Sequence, residues 1–447
     1  VGHYVPHTDA EIETMLGALG LTSVDELFAS VPPALRLAGG LDLPPGLGEP
    51  DVLARLEELA DRNQVSGRDL VCFAGAGAYD HEVPAVTRSL AGRAEFVTAY
   101  TPYQAEVAQG VLQALFEFQT MIARLAGVGV ANASLYDGAS ATVEAVNLAT
   151  AATGRPSVWM SQGVHPHWRQ VVTTFAAGEG RRVVEVPLQD GYTAWPETPQ
   201  DVGAVVAAYP NYLGCLEDLA RARQVADDAR APLVVAFDPV AAGLLRSPGS
   251  WGADVVVGEG QAFGTALNFG GPYLGLFACT EEHVRRLPGR LVGETVDTEG
   301  RRSYVTTLRT REQDIRRERA SSNVCTNQTL MAVTAAIQLG WLGTGGLAEV
   351  ALRCARGTRY CRDALLAVDG VEPLVSAPVL REFAVRAPVD GAVLVERLAE
   401  EGYLAGVPLG PGLEASGCDG GLLVAVTERR TRDEIDGFAA AFEKAVR

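Results

Sequence analysis

The sequence predicts an α/β protein whose main domain is a mainly parallel sheet covered by helices on both faces. Two observations lead there. From about residue 95 to 280, helical segments alternate with short β-rich runs, the order that sets parallel strands beside crossover helices. The chain is also 447 residues long, with 47% hydrophobic and 21% charged residues. That leaves room for a large domain with one or two smaller units, and it excludes disordered and fibrous classes.

The alternation reads in order as a helix over "AEVAQGVLQALFEFQTMIARLAG", a turn at "LYDGAS" and a helix over "ATVEAVNLATAA". The β-rich runs "SVWMS", "RVVEVPL", "GAVVAAYPN", "PLVVAFDPV", "ADVVVGEG" and "LGLFACT" follow. Ahead of this region, Thr8-Asp9-Ala10-Glu11 and Ser23-Val24-Asp25-Glu26 both fit the capping box, each opening a short helix. Pro32-Pro33 and "LDLPPGLGEP" break regular structure before "DVLARLEELADRN" resumes helical spacing, so residues 1–80 are expected to form a helical N-terminal arm. The large domain is expected over 81–335. Beyond it, the helix "GGLAEVALRCARGTRYCRDALLAV", the strand "EFAVRAP", the helix "GAVLVERLAEEG", the strand "GLLVAVTE" and a last helix, "RDEIDGFAAAFEKAV", predict a small α+β C-terminal domain over 336–447.

Composition narrows the function. A formal net charge of −18 lacks the basic face that attracts phosphate backbones, so no nucleic-acid partner is expected. No apolar run reaches about 18 residues without a charge or turn former, and "VGHYVPHTDAEIE" lacks the pattern of a signal peptide. The expectation is a cytoplasmic protein with no membrane partner. Seven cysteines, odd in number and without a C-x-x-C pair, predict reduced and mostly buried thiols rather than a disulfide framework or zinc ribbon.

The 37 basic residues include one lysine only, Lys444. Arginine clamps anions but cannot serve as an amine nucleophile, which excludes a P-loop and the strand lysine of a kinase. A Schiff-base enzyme using its own lysine would have to use Lys444, three residues from the C-terminus, where disorder and solvation are expected.

Several motifs have ordinary readings. "FAGAGAYD" carries Gly75 and Gly77, but Asp80 stands where a dinucleotide fingerprint wants a third glycine, so it is read as a tight turn. His165-Pro166-His167 lacks further ligands at metal spacing and is read as a loop after the strand "SVWMS"; no metal is expected. Cys325, with no paired histidine nearby, is read as a buried structural cysteine.

Three features in order say more. The turn holding Gly138 and Ser140 precedes a helix, where free N–H groups can hold an anion. Asp238 ends the strand "PLVVAF", and the strand "ADVVVGEGQA" then ends in a loop. A glycine-serine turn, a strand-end aspartate and a strand-end lysine is the order of pyridoxal-phosphate enzymes of the aminotransferase-like fold type I, where they hold phosphate, pyridine nitrogen and aldehyde. Here Gln261 and Ala262 stand in the lysine's place. On these features alone, an ordinary α/β protein with coincidental spacing stays open.

Longer stretches carry a resemblance. "AYTPYQAEVAQG…LYDGASATVEA" (99–145), "GEGQAFGTALNFGGPYLGLFA" (258–278), "LPGRLVGETVDTEGRRSYVTTLRTREQDIRRERASSNVCTNQTLMA" (287–332) and the N-terminal "YVPHTDAEIETMLGALGLTSVDELF" closely resemble the P-protein of the glycine cleavage system. The likeness weakens through the C-terminal domain. By length and motifs the chain resembles the alpha, N-terminal-half subunit, and Gln261-Ala262 lies where the other half has a histidine-lysine pair. The resemblance implies an alpha2beta2 heterotetramer in which the beta subunit carries pyridoxal phosphate and this chain binds none covalently. Glycine would be decarboxylated and its aminomethyl group passed to the lipoyl arm of H-protein.

It further implies that this chain completes a site across the interface. Tyr100, Thr101, Tyr103 and Gln104, with Glu106 behind them, are the residues expected there, through phenol groups that hydrogen-bond a carboxylate or amine; interface packing is their alternative role. Arg309, Arg311, Arg316, Arg317 and Arg319 are read as an ion-pair helix, solvated or at an interface, with attraction of an acidic partner as the other possibility. At Arg319 lysine is the more usual residue of the resemblance. Gly138, Ser140, His165, Asn211 and Asp238 would form a degenerate cofactor pocket. A structural or regulatory pseudo-enzyme subunit that only stabilises the catalytic chain is the alternative function.

Overall fold

The computed structural model describes residues 6–37, 41–197, 201–268, 270–308, 313–320, 322–410, 413 and 416–447. The chain divides into two units, Val1–Asn63 and Gln64–Arg447.

In the first unit, helix α1 (Asp9–Ala18) opens with the expected reciprocal box: Thr8 Oγ1 accepts the Glu11 N–H, and the Glu11 carboxylate accepts the Thr8 N–H at 2.7 Å. The second expected box is corrected. Val24–Phe28 is a 3-10 helix, because the Glu26 carboxylate takes the Thr22 N–H (3.0 Å) and the Ser23 hydroxyl donates to that carboxylate instead of accepting an amide. Helix α2 (Glu49–Ala60) follows, with Pro50 in its first turn, where the missing N–H costs nothing.

In the second unit the sequence-based arm ends early. Val71–Cys72 pairs in parallel with Tyr403–Leu404, and the Phe73 ring stacks on Phe438 with centroids 4.1 Å apart, so this stretch packs with C-terminal elements.

The centre of the unit is a seven-stranded sheet: β1 (Val130–Ala131), β2 (Ser157–Ser161), β3 (Arg182–Val186), β4 (Val202–Tyr209), β5 (Leu233–Phe237), β6 (Val255–Glu259) and β7 (Gly275–Cys279). Their spatial order is β1-β7-β6-β5-β4-β2-β3. All pairings are parallel except those of β7, which is antiparallel to both neighbours. Strands β2, β5 and β7 are buried at every residue, as apolar runs covered on both faces must be. Helices α3 (Gln109–Ala126), α4 (Gly138–Thr153), α5 (Pro166–Gly178) and α6 (Leu219–Ala229) cover the sheet. α4 is apolar or small on nearly every side and is the most buried of them. The hairpin Leu291–Val296 with Arg302–Thr307 is an addition that the sequence pattern does not announce.

The helix expected over 345–368 is the second part of α7 (Thr329–Leu366), which is two helical runs joined at Gly343, whose φ of 60° and ψ of −176° are not helical. By length and composition α7 could cross a membrane, but Ala332, Ala335, Leu339, Leu347 and Ala351 sit in the core beside the sheet. Beyond it, β8 (Glu372–Pro373), β9 (Glu382–Arg386), β10 (Val407–Pro408) and β11 (Leu422–Ala425) form an antiparallel sheet in the order β8-β9-β11-β10. Helices α8 (Gly391–Glu400) and α9 (Arg432–Val446) pack against it. The C-terminus expected to be disordered is helical through Val446. Lys444 is exposed there and lies 3.4 Å from Glu401.

Candidate functional site

Parallel strands open at their C-terminal ends, and a crevice forms where neighbouring connections leave in opposite directions. Here β2, β4, β5 and β6 deliver Gly163 and His165, Asn211, Asp238, and Glu259 to Ala262 to one cavity of about 90 Å³. The segment Gly77–Tyr79 and, from the C-terminal sheet, Arg381 and Glu382 close it. Of the residues expected in a degenerate pocket, His165, Asn211 and Asp238 line this cavity, whereas Gly138 and Ser140 do not.

At the N-terminus of α4, Asp137 caps the Ser140 N–H at 2.7 Å. The Gly138 N–H is taken by Glu259 Oε2 at 3.0 Å, while Oε1 accepts from Gln261 (3.0 Å) and Leu274 (2.9 Å). Burial pushes the Glu259 carboxyl up to about 7 against the pull of these three donors. A Cβ on Gly138 would lie 2.2 Å from the Trp168 ring, so only glycine fits there.

Asp238 Oδ1 accepts the Val240 N–H at 2.9 Å, and Oδ2 lies 2.7 Å from Arg381 Nη2. The Arg381 guanidinium is buried, 3.4 Å over the Tyr79 ring, with Nη1 2.6 Å from His81 Nε2. A guanidinium can only donate, so His81 Nε2 accepts and the ring proton sits on Nδ1, donated to Glu428 Oε2 at 2.6 Å. Burial works to raise the Glu428 carboxyl, but the His81 and Glu82 N–H groups outweigh it and hold it down to about 2. The Tyr79 hydroxyl donates to Glu382 Oε2 (2.7 Å), and the Ala76 N–H to Glu382 Oε1 (2.7 Å).

His81, Cys354 and Glu428 are the one group among the described residues with three metal-type ligand atoms within 4.8 Å. Their lone pairs and protons are spent on one another beside the Arg381 cation, which suits an ion network and opposes a metal ion.

Gln261 is buried: Oε1 accepts the Tyr79 N–H (2.9 Å), and Nε2 donates to the carbonyls of Tyr79 (3.1 Å) and Thr265 (2.7 Å). Ala262 beside it is buried and has no polar side-chain atom. His165 caps α5: Nδ1 accepts the His167 N–H (3.1 Å), and Nε2 donates to the Ala76 carbonyl (2.8 Å). Burial pushes its pKa down to about 4. Asn211 accepts from Leu213 and Cys215 in its own turn and donates to the Gly191 carbonyl at 2.8 Å, 20 residues earlier in the chain.

The tyrosine loop lies apart from this pocket, in the connection before α3. The Tyr103 hydroxyl bonds Asn327 and, at 2.7 Å, Thr329, under the Arg290 guanidinium 4.0 Å from its ring. Tyr100 is 99% exposed, Thr101, Gln104 and Glu106 are exposed as well, and Pro102 is buried. Two expectations outside the pocket change. Cys325 is exposed rather than buried, because residues 322–328 are an irregular lead into α7 and not a core element; the other six cysteines are buried and free. Arg316, Arg317 and Arg319 lie on two single-turn helices instead of one ion-pair helix, and Arg309 and Arg311 lie outside the described residues.

The residues present do not fit a pyridoxal phosphate group. The aldehyde would meet Ala262, the amide of Gly138 already holds a carboxylate, and Asp238 already holds a guanidinium. Sequence reasoning missed Tyr79, Arg381 and Glu382. Only Glu259, inside the quoted "GEGQAFG", carried a signal, an acidic residue at the end of a buried strand.

A family model for the glycine cleavage system P-protein matches residues 2–442. A Moorella thermoacetica protein described as a probable glycine dehydrogenase (decarboxylating) subunit 1 is 47% identical over 445 residues, covering 98% of both chains. A crystal structure of glycine decarboxylase (P-protein) of the glycine cleavage system, in inhibitor-bound form, superposes with a TM-score of 0.93 at 44% identity, covering 99% of this chain and 100% of that one. A Burkholderia pseudomallei sphingosine-1-phosphate lyase, at TM-score 0.65 and 16% identity over 93% of this chain and 94% of its own, shares the fold alone. The fold is that of the pyridoxal-phosphate-dependent fold type I group, and the chain belongs to the glycine cleavage system P-protein family.

Proposed function

We propose that this chain is the alpha subunit of a glycine dehydrogenase (decarboxylating), completing a catalytic site that a beta subunit owns. The observation that carries the reading is a cofactor-type fold with Ala262 at the lysine position and no lysine anywhere but exposed Lys444. Pyridoxal phosphate would then sit in the beta subunit, where it supplies the electron sink for decarboxylation of glycine. The aminomethyl group would pass to the lipoyl arm of H-protein, within a cytoplasmic alpha2beta2 assembly that needs neither membrane nor nucleic acid.

In this reading the loop from Tyr100 to Glu106 is this chain's contribution. Tyr103 is anchored by Asn327, Thr329 and Arg290, which fixes the loop, while the exposed Tyr100 can meet a partner surface. In a complex reconstituted with the beta subunit, Tyr100→Phe is expected to lower turnover about tenfold, the worth of one hydrogen bond of about 1.4 kcal/mol in the transition state. Assembly, read by co-purification, is expected to be unchanged. Turnover within about twofold of wild type for both Tyr100→Phe and Tyr103→Phe would instead support a purely structural subunit.

A further inference from the structure

The pocket has two places where the fold meets a phosphorylated pyridine, and both are taken by this chain's own charged groups. At the phosphate end, the Glu259 carboxylate lies on the Gly138 amide and on two further N–H donors. At the pyridine end, the Arg381 guanidinium lies 2.7 Å from Asp238, over Tyr79 at 3.4 Å. We propose that this chain has turned its cofactor pocket into an ionic latch, in which Glu259 and Arg381 stand where phosphate and pyridinium would, so that it binds neither a pyridoxal compound nor free phosphate there.

The latch joins two parts of the unit. Asp238 and Glu259 end strands of the seven-stranded sheet, whereas Arg381 and Glu382 enter β9 of the C-terminal sheet. Around the ion pair, Glu382 holds Tyr79 and Ala76, and His81 links Arg381 to Glu428, just beyond β11. The approach is close: a Cβ on Gly214 would fall 1.9 Å from the Glu382 carbonyl oxygen, and Cys215 bridges to Val379 in antiparallel register. The space that remains, about 90 Å³, is well below the roughly 300–1,000 Å³ of a cofactor-sized site. The latch concerns groups inside this chain and holds with or without a partner subunit.

The test uses the full chain, with pyridoxamine 5′-phosphate and inorganic phosphate as probes, because an amine cofactor cannot react adventitiously with Lys444. Equilibrium dialysis and the fluorescence of Trp168, which lines the pocket, are expected to show no saturable binding up to about 1 mM. Glu259→Ala frees three N–H groups, and its Tm is expected to rise by about 3 °C or more in phosphate relative to chloride of equal ionic strength, a difference absent from wild type. Arg381→Gln is expected to speed amide exchange across Glu382–Arg386 about tenfold while Val255–Glu259 stays protected. Saturable binding of either probe at the wild-type pocket overturns the proposal, as does unchanged exchange in Arg381→Gln. If Glu259→Ala does not fold, those two measurements still decide; if it folds and ignores phosphate, the anion half of the proposal fails.

Discussion

His165 keeps its place through two hydrogen bonds that require a neutral ring: Nδ1 accepts from His167, and Nε2 donates to Ala76. Burial first, against the hydrogen bond to Ala76 and with repulsion from His167 and Arg169, holds its pKa down to about 4. Between the ordinary histidine value and about 4 the unfolded chain therefore binds a proton that the folded chain does not. The stability this contributes is fully present above the ordinary value and is lost as pH falls through the folded one. A tenfold change in proton affinity is worth about 1.4 kcal/mol. Urea unfolding is therefore expected to show wild type losing about 2 kcal/mol more than His165→Gln between about pH 7 and about pH 4. Equal losses would show that the ring titrates without penalty. At this scale the sequence grouped Gly138, Ser140, His165, Asn211 and Asp238, and the structure brings the last three to one cavity just after strand ends. The sequence could not show that Asp238 is paired, because Arg381 lies far along the chain and looks like any other arginine until the sheets pack.

Elements with strong local signals were legible. The box Thr431 to Glu434 opens α9 as Thr8 to Glu11 opens α1: the Glu434 N–H reaches Thr431 Oγ1 at 3.2 Å, and the Thr431 N–H reaches the Glu434 carboxylate at 2.7 Å. Since α9 carries Ile435, Phe438 and Phe442 into the C-terminal core, Thr431→Ala is expected to cost about 1 kcal/mol of stability, measured by denaturant unfolding. No measurable loss would mean that packing alone fixes the helix start. The box at Ser23 failed for a physical reason, since its glutamate found Thr22 as a better donor and the segment is too short to settle into an α-helix. The hairpin after Pro288 was not legible because its residues are mostly polar or half-exposed, giving little alternation to detect. α7 is broken at Gly343, whose left-handed φ is not helical, and the core packed on either side holds both of its runs.

Across the whole molecule, the first unit is the part least able to stand alone. Leu19, Leu35, Leu41, Leu43, Leu47, Leu53 and Leu56 are all exposed, which is more apolar surface than a unit of its size leaves to water. A partner that covers it is expected to protect it. Trypsin is expected to cut the purified chain at Arg36, Arg55 or Arg62 at least about tenfold faster than the chain in the proposed complex with a beta subunit, read by mass spectrometry over time. Equal rates would place the partner's contact elsewhere.

The sequence by itself determined the fold class, the order of the strands that build the pocket, and the fact that Lys444 is the chain's one lysine. These are local or compositional properties: periodic apolar runs, capping residues and one residue count. Only the tertiary structure decided that the pocket is closed from within, that Tyr103 is anchored while Tyr100 is exposed, and that residues 64–80 belong with the body. Each of these depends on groups far apart in the chain meeting in a low-dielectric interior, where a buried charge must find its opposite, and linear spacing carries no record of which opposite it finds.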